Sequence, residues 1–202
     1  MTTRIFLALA ALLVSANAHA AFIFTSTLSG DQEVDPTGST ATGFASLSLN
    51  DEQTRLEIMI TIEGLDLDGL QTEAENDNVS GLHIHRGPAG VNGPVIFGFI
   101  GPNSDLNGDL MIDPAAGTIF SAWDAEEGNG TTLLDELENL FADGLYLNVH
   151  TPDFPGGEIR GQILAVDDNG NGNGEVPEPA SLGLLGLGLA LLGFARRRQA
   201  AR

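Results

Sequence analysis

Three histidines carry the clearest chemical potential in this chain: His83 and His85, two apart in Leu82-His83-Ile84-His85, and His150, closing Leu145-Tyr146-Leu147-Asn148-Val149-His150. Side chains alternate along a strand, so His83 and His85 leave one face while Leu82 and Ile84 leave the other. By the same rule His150 shares a face with Tyr146 and Asn148, opposite Leu145, Leu147 and Val149. If the two strands are neighbours, three imidazoles converge on one zinc or copper ion at about 2.0–2.1 Å. The plainer expectation is three polar side chains on the solvent face of a half-buried sheet. No other constellation competes: there is no cysteine, no G-x-S-x-G and no lysine-bearing phosphate loop, and the carboxylate pairs Asp51/Glu52, Glu126/Glu127 and Asp135/Glu136 are sequence neighbours in an acid-rich chain. The expected catalytic and cofactor-binding residues are therefore none.

The elements that must position the histidines follow from periodicity. Residues 145–150 and 158–163 alternate apolar and polar about a turn carrying Pro152, Pro155, Gly156 and Gly157, which predicts a looped hairpin with one core face and one polar face. Further strands are expected at 22–28, 41–49, 55–62, 80–85 and 95–100, with another at 119–123. Residues 64–79 lack an apolar period after Leu70 and read as a long exposed loop. One helix is expected: Thr131 or Thr132 caps it, Leu133, Leu137, Leu140 and Phe141 recur at helical spacing, acids fill its first turns and Gly144 stops it. The sum is an all-β chain, an immunoglobulin-like or superoxide-dismutase-like Greek-key β-sandwich with one short helix.

Two motifs resemble known families. Gly157-Glu158-Ile159-Arg160-Gly161 resembles the GE-[ILV]-RG signature of the chordin-type (CHRD) domain, and Tyr146-Leu147-Asn148-Val149-His150-Thr151 resembles the YxNVHT run preceding it. The resemblance assigns residues 21–166 to a CHRD domain and implies a binding or structural module, without naming a ligand. Within the motif, Arg160 is expected to anchor either a carboxylate or backbone carbonyls, and Gly156, Gly157 and Gly161 to serve backbone geometry. The His-x-His strand is similar to the copper-ligand strand of copper/zinc superoxide dismutases. That family needs several more histidines and a bridging imidazole, so dismutase activity is not expected.

Both ends of the chain read as addresses. Residues 1–20 combine Arg4, an apolar run and Ala18-His19-Ala20, the pattern of a signal peptide cut after Ala20. Residues 167–175, DDNGNGNGE, form a Gly/Asn/Asp linker. Residues 176–202 then carry Val176-Pro177-Glu178-Pro179, an apolar segment at 180–195 and Arg196-Arg197-Arg198, closely resembling the PEP-CTERM sorting signal. The resemblance implies recognition by an exosortase, removal of the tail and release to the cell surface or outside. As a transmembrane helix the apolar segment would span roughly 24 Å at ~1.5 Å per residue, short of a ~30 Å hydrocarbon core. That favours transient membrane contact over a permanent tail anchor.

Composition narrows the partners. The chain has 28 acidic and eight basic residues and a formal net charge of −20; between residues 21 and 177 its basic side chains other than histidine are Arg55, Arg86 and Arg160. Such a polyanion excludes nucleic acid and anionic membrane surfaces, leaving signal peptidase and exosortase as processing partners and an envelope or matrix component as ligand. Acidity also suits calcium. Acidic loops such as 73–77 are one candidate, and Asp167, Asn169, Asn171, Gly172 and Glu178 fit the spacing of a calcium loop.

Overall fold

The computed structural model describes residues 21–166. The expected signal peptide, the expected linker with its calcium-loop pattern, and the sorting segment lie outside the described residues. Strands β1 (Phe22–Ser29), β2 (Thr42–Leu49), β3 (Arg55–Glu63), β4 (Gly81–Arg86), β5 (Val95–Ile100), β6 (Met111–Asp113), β7 (Thr118–Asp124), β8 (Leu145–His150), β9 (Ile159–Gln162) and β10 (Leu164–Ala165) join one helix, α1 (Leu133–Phe141). They form one antiparallel ladder in the order β5-β4-β8-β9-β1-β2-β3-β7-β6, with β10 also on β1.

The alternation expected from the sequence sets the register. On β3, Leu56, Ile58, Ile60 and Ile62 are buried, and Leu47 and Ala45 of β2 stand opposite Ile58 and Ile60. Leu82 and Ile84 of β4, Leu147 and Val149 of β8 and Ile159 of β9 join them in one core with no measurable exposure. One ladder face can bury itself this way only by curling. Phe97 of β5, one end strand, stacks on Trp123 of β7, near the other end, at 5.2 Å between ring centroids. Asn129 N–H donates to the Ile96 carbonyl at 2.7 Å, tying the segment after β7 to β5. The curled sheet is the expected all-β sandwich. Helix α1 sits beside β1, burying Leu133 and Leu140 and setting the Phe141 ring 5.2 and 5.5 Å from Phe22 and Phe24.

Some local readings need correction. The helix is stopped by Asp143, at φ 55°, with Gly144 N–H returning to the Asn139 carbonyl at 2.8 Å, so the left-handed residue is the aspartate and not the glycine. Strand β6 was not expected, since its three residues are all exposed and carry no alternating pattern. The hairpin partner of β8 divides at Ile163 into β9 and β10 because Ile163 N–H still pairs with Leu145 while Leu164 already pairs with β1.

The largest correction concerns the polar face of β4, β8 and β9. His83, His85, Tyr146, Asn148 and Arg160 lie on that face and are all buried, none above 8% exposed. Residues 87–94 and 152–157 fold over them, because these Pro/Gly turns present carbonyl groups that the polar side chains beneath can satisfy.

Candidate metal centre

Strands β4 and β8 are paired neighbours, with Gly81 opposite His150, His83 opposite Asn148 and His85 opposite Tyr146. This register brings the three histidines together. Ring centroids of His83 lie 5.6 Å from His85 and 4.9 Å from His150, and His85 and His150 are 5.9 Å apart. Gly81 makes the room: a Cβ there would stand 2.9 Å from His83 Cε1 and 3.2 Å from His150 Cδ2.

Each imidazole has one nitrogen committed and one free. His83 Nε2–H donates to Gly101 O (3.0 Å), His85 Nδ1–H to Gly93 O (2.9 Å) and His150 Nδ1–H to Pro155 O (3.1 Å). A carbonyl can only accept, so in each ring the proton sits on that nitrogen and the other carries a lone pair. Those other atoms, His83 Nδ1, His85 Nε2 and His150 Nε2, are buried and have no protein partner. One ring nitrogen from each residue lies within 4.8 Å of the others. Among the described residues this is the one group of three or more metal-capable side chains gathered at such range.

The electrostatics favour neutral rings. Burial lowers the pKa of all three; for His150 the neighbouring His83 and His85 lower it further, to about 4, against the opposing bond to Pro155. Three neutral imidazoles fixed by carbonyls are the donor set and outer-shell arrangement in which zinc and copper are held.

Around this cluster the two sequence motifs acquire physical reasons. Arg160 is 1% exposed; its Nη2 donates to the carbonyls of Pro88 (3.0 Å) and Val91 (2.9 Å), and its Nη1 to Asn92 Oδ1 at 3.3 Å. Of its two expected partner types, carbonyls take the bonds; Glu33 is the nearby charge. Its guanidinium carbon lies 3.4 Å from the Tyr146 ring centroid, and Tyr146 stacks on His85 at 4.9 Å and 12°. Glu158 accepts from the Ser39 and Thr151 hydroxyls, and Ile159 fills the core. Gly157, at φ 127°, leaves room where a Cβ would come within 2.4 Å of Glu33 Oε1 and 2.5 Å of Asn148 Oδ1; at Gly161 a Cβ would strike Ser26 Oγ at 2.4 Å and Thr27 O at 2.5 Å.

The CHRD domain model matches residues 24–163, well over half of the chain and the span that builds this sheet and its polar layer. The chain belongs to the CHRD domain family. A PEP-CTERM protein-sorting motif matches residues 175–199, covering Val176, Pro177, Glu178 and Pro179. The CHRD protein is thus an exosortase-processed, exported protein of the cell surface or the exterior. Neither the curated proteins nor the solved structures contain a match to it.

Sequence reasoning missed Glu33 and Asn148, which add two more buried, unpartnered oxygens beside Arg160. Burial raises the Glu33 carboxyl, opposed by Arg160 and by a hydrogen bond from Asn148. Glu33 borders a cavity of about 260 Å³, lined also by Asp35, Thr37, Asn92 and residues 153–157. Asn148 stood in the quoted YxNVHT run, a signal that could have found it; Glu33 carries none. Among the described residues no helix is long and apolar enough to cross a membrane, and the apolar segment at 180–195 falls outside them.

Proposed function

We propose that this CHRD domain is an exported metal-binding module of the cell envelope or matrix, holding one zinc or copper ion on His83, His85 and His150. The observation that carries the reading is the set of three buried lone-pair nitrogens, each ring locked by a backbone carbonyl on its far side. Unpaired buried acceptors cost free energy, and a bound cation satisfies all three at once. Gly81 supports the same reading, since its missing side chain is what lets the rings approach. The ion would complete the polar layer between β4, β8 and the loops above them, and would act as a Lewis acid toward any ligand reaching its fourth position. A binding role toward an envelope component draws on the adjoining cavity, whose carboxylates Glu33, Asp35 and Asp153 suit a donor-bearing ligand. Signal peptidase and exosortase would act before the module reaches its site.

The test is metal content. The exported protein, isolated without a histidine tag, takes up close to one equivalent of zinc or copper by elemental analysis and calorimetry, and His85→Ala abolishes uptake. No bound transition metal and no uptake at micromolar concentration would remove the reading and leave a metal-free binding module.

A further inference from the structure

The arginine of the family motif and the histidine cluster are joined by a continuous set of contacts. Arg160 holds residues 88–92 through the Pro88 and Val91 carbonyls and Asn92. The next residue, Gly93, donates its N–H to Tyr146 Oη at 3.0 Å and offers its carbonyl to His85 Nδ1 at 2.9 Å. Tyr146 is pressed between the Arg160 guanidinium on one side and the His85 ring on the other. Gly93 itself is confined, because a Cβ there would collide with the Arg86 carbonyl at 1.6 Å. Two routes, one along the loop and one through the phenol ring, therefore run from Arg160 to the same imidazole.

We infer that Arg160 and Tyr146 are positioning residues of the candidate metal centre: together they place the Gly93 carbonyl on His85 Nδ1, and so turn His85 Nε2, with its lone pair, toward His83 and His150. The guanidinium holds two carbonyls on Nη2 and Asn92 on Nη1 while its flat face lies on Tyr146. A lysine ammonium keeps the charge but loses the second nitrogen and the flat face, on a shorter reach. Tyr146→Phe is the milder change, since the ring stack persists and Gly93 N–H alone loses its acceptor. The effect on metal affinity rests on the reading proposed above; the effect on the His85 tautomer does not.

The experiment compares the exported wild-type protein with Arg160→Lys, Tyr146→Phe and a core comparator, Ile58→Val, whose side chain is fully buried away from the polar face. Nitrogen-15 spectra of metal-free protein report which nitrogen of His85 is protonated, and chelator competition reports zinc affinity. Wild type shows His85 protonated at Nδ1. Arg160→Lys and Tyr146→Phe show a mixture of tautomers and about 10–100-fold weaker zinc binding, the range for loss of an outer-shell partner. Ile58→Val lowers the melting temperature and moves neither readout. The inference is overturned if both polar-face variants keep the wild-type tautomer, whatever their melting temperatures, or if wild type binds zinc and they bind it as tightly. Should wild type take up no zinc, the metal reading fails, while the tautomer comparison still decides whether Arg160 and Tyr146 position His85.

Discussion

Gly156 and Gly157 are adjacent in sequence and opposite in consequence. A Cβ at Gly156 meets nothing within 4 Å, whereas at Gly157 it would enter the space of Glu33 and Asn148 on a backbone at φ 127°. Gly157→Ala is expected to cost about 1–3 kcal/mol from backbone strain alone, with Gly156→Ala within about 0.5 kcal/mol of wild type; paired urea titrations check both. The histidines give a pH signature. Their pKa values are lowered on folding, so below the ordinary value of 6.5 the unfolded chain binds more protons than the folded one. For His150 the contribution is complete above pH 6.5 and is lost as pH falls through about 4, and His83 and His85 act in the same direction. Glu33, raised by burial, acts in the opposite sense. In chelator the melting temperature should fall between pH 6.5 and 4, and His150→Gln should flatten that slope. An unchanged slope in the variant would show that the acid sensitivity arises elsewhere.

At the scale of elements, acids act as local organisers. Thr132 accepts the Asp135 N–H at 3.3 Å and begins α1 as the sequence predicted; Thr132→Ala should cost about 0.5–2 kcal/mol, read by thermal denaturation. In residues 64–79 a single carboxylate does comparable work. Burial by itself would raise the Asp66 carboxyl, but the N–H groups of Asp68, Gly69, Gln71 and Thr72 outweigh it and hold the pKa at about 2. A depressed carboxylate contributes stability above its ordinary pKa of 3.8 that disappears as pH falls toward 2. Asp66→Asn, whose amide has one acceptor oxygen in place of two, should accelerate amide exchange over residues 68–72 while β2 and β3 stay protected. Uniform acceleration throughout the sheet would contradict a local role. The arginines organise in the same way: Arg55 ties Asp124 and Asp109 at 2.7 and 3.0 Å, and Arg86 lies 3.4 Å from the buried Glu136.

At the scale of the molecule, export and processing set what reaches the cell surface. The sorting motif at 175–199 marks the chain for exosortase. With the expected signal peptide, the mature protein should begin at Ala21 and lack residues 180–202. Intact-mass spectrometry of exported protein reads both ends in one measurement, and a retained tail would contradict the processing scheme. Losing that tail removes Arg196, Arg197, Arg198 and Arg202, so the mature form is more acidic relative to its size than the precursor.

The sequence by itself determined the strands other than β6, and the apolar faces of the alternating ones, because alternation of Leu, Ile and Val against polar residues is a local property with a period of two. It likewise determined the α1 cap, the two family motifs and the common face of His83 and His85, all of which rest on spacing within one segment. It did not determine that β4 lies against β8, which places His150 diagonal to His83, since pairing between residues as far apart as Gly81 and His150 depends on how the whole ladder curls. Nor did it determine that the polar face is buried: alternation says which side chains share a face, and only the path of residues 87–94 and 152–157 decides whether that face meets water or protein. The carbonyls of Gly93, Gly101 and Pro155, which fix where each imidazole carries its proton, leave no trace in residue type. They are backbone groups, and the tertiary structure alone decides where they point.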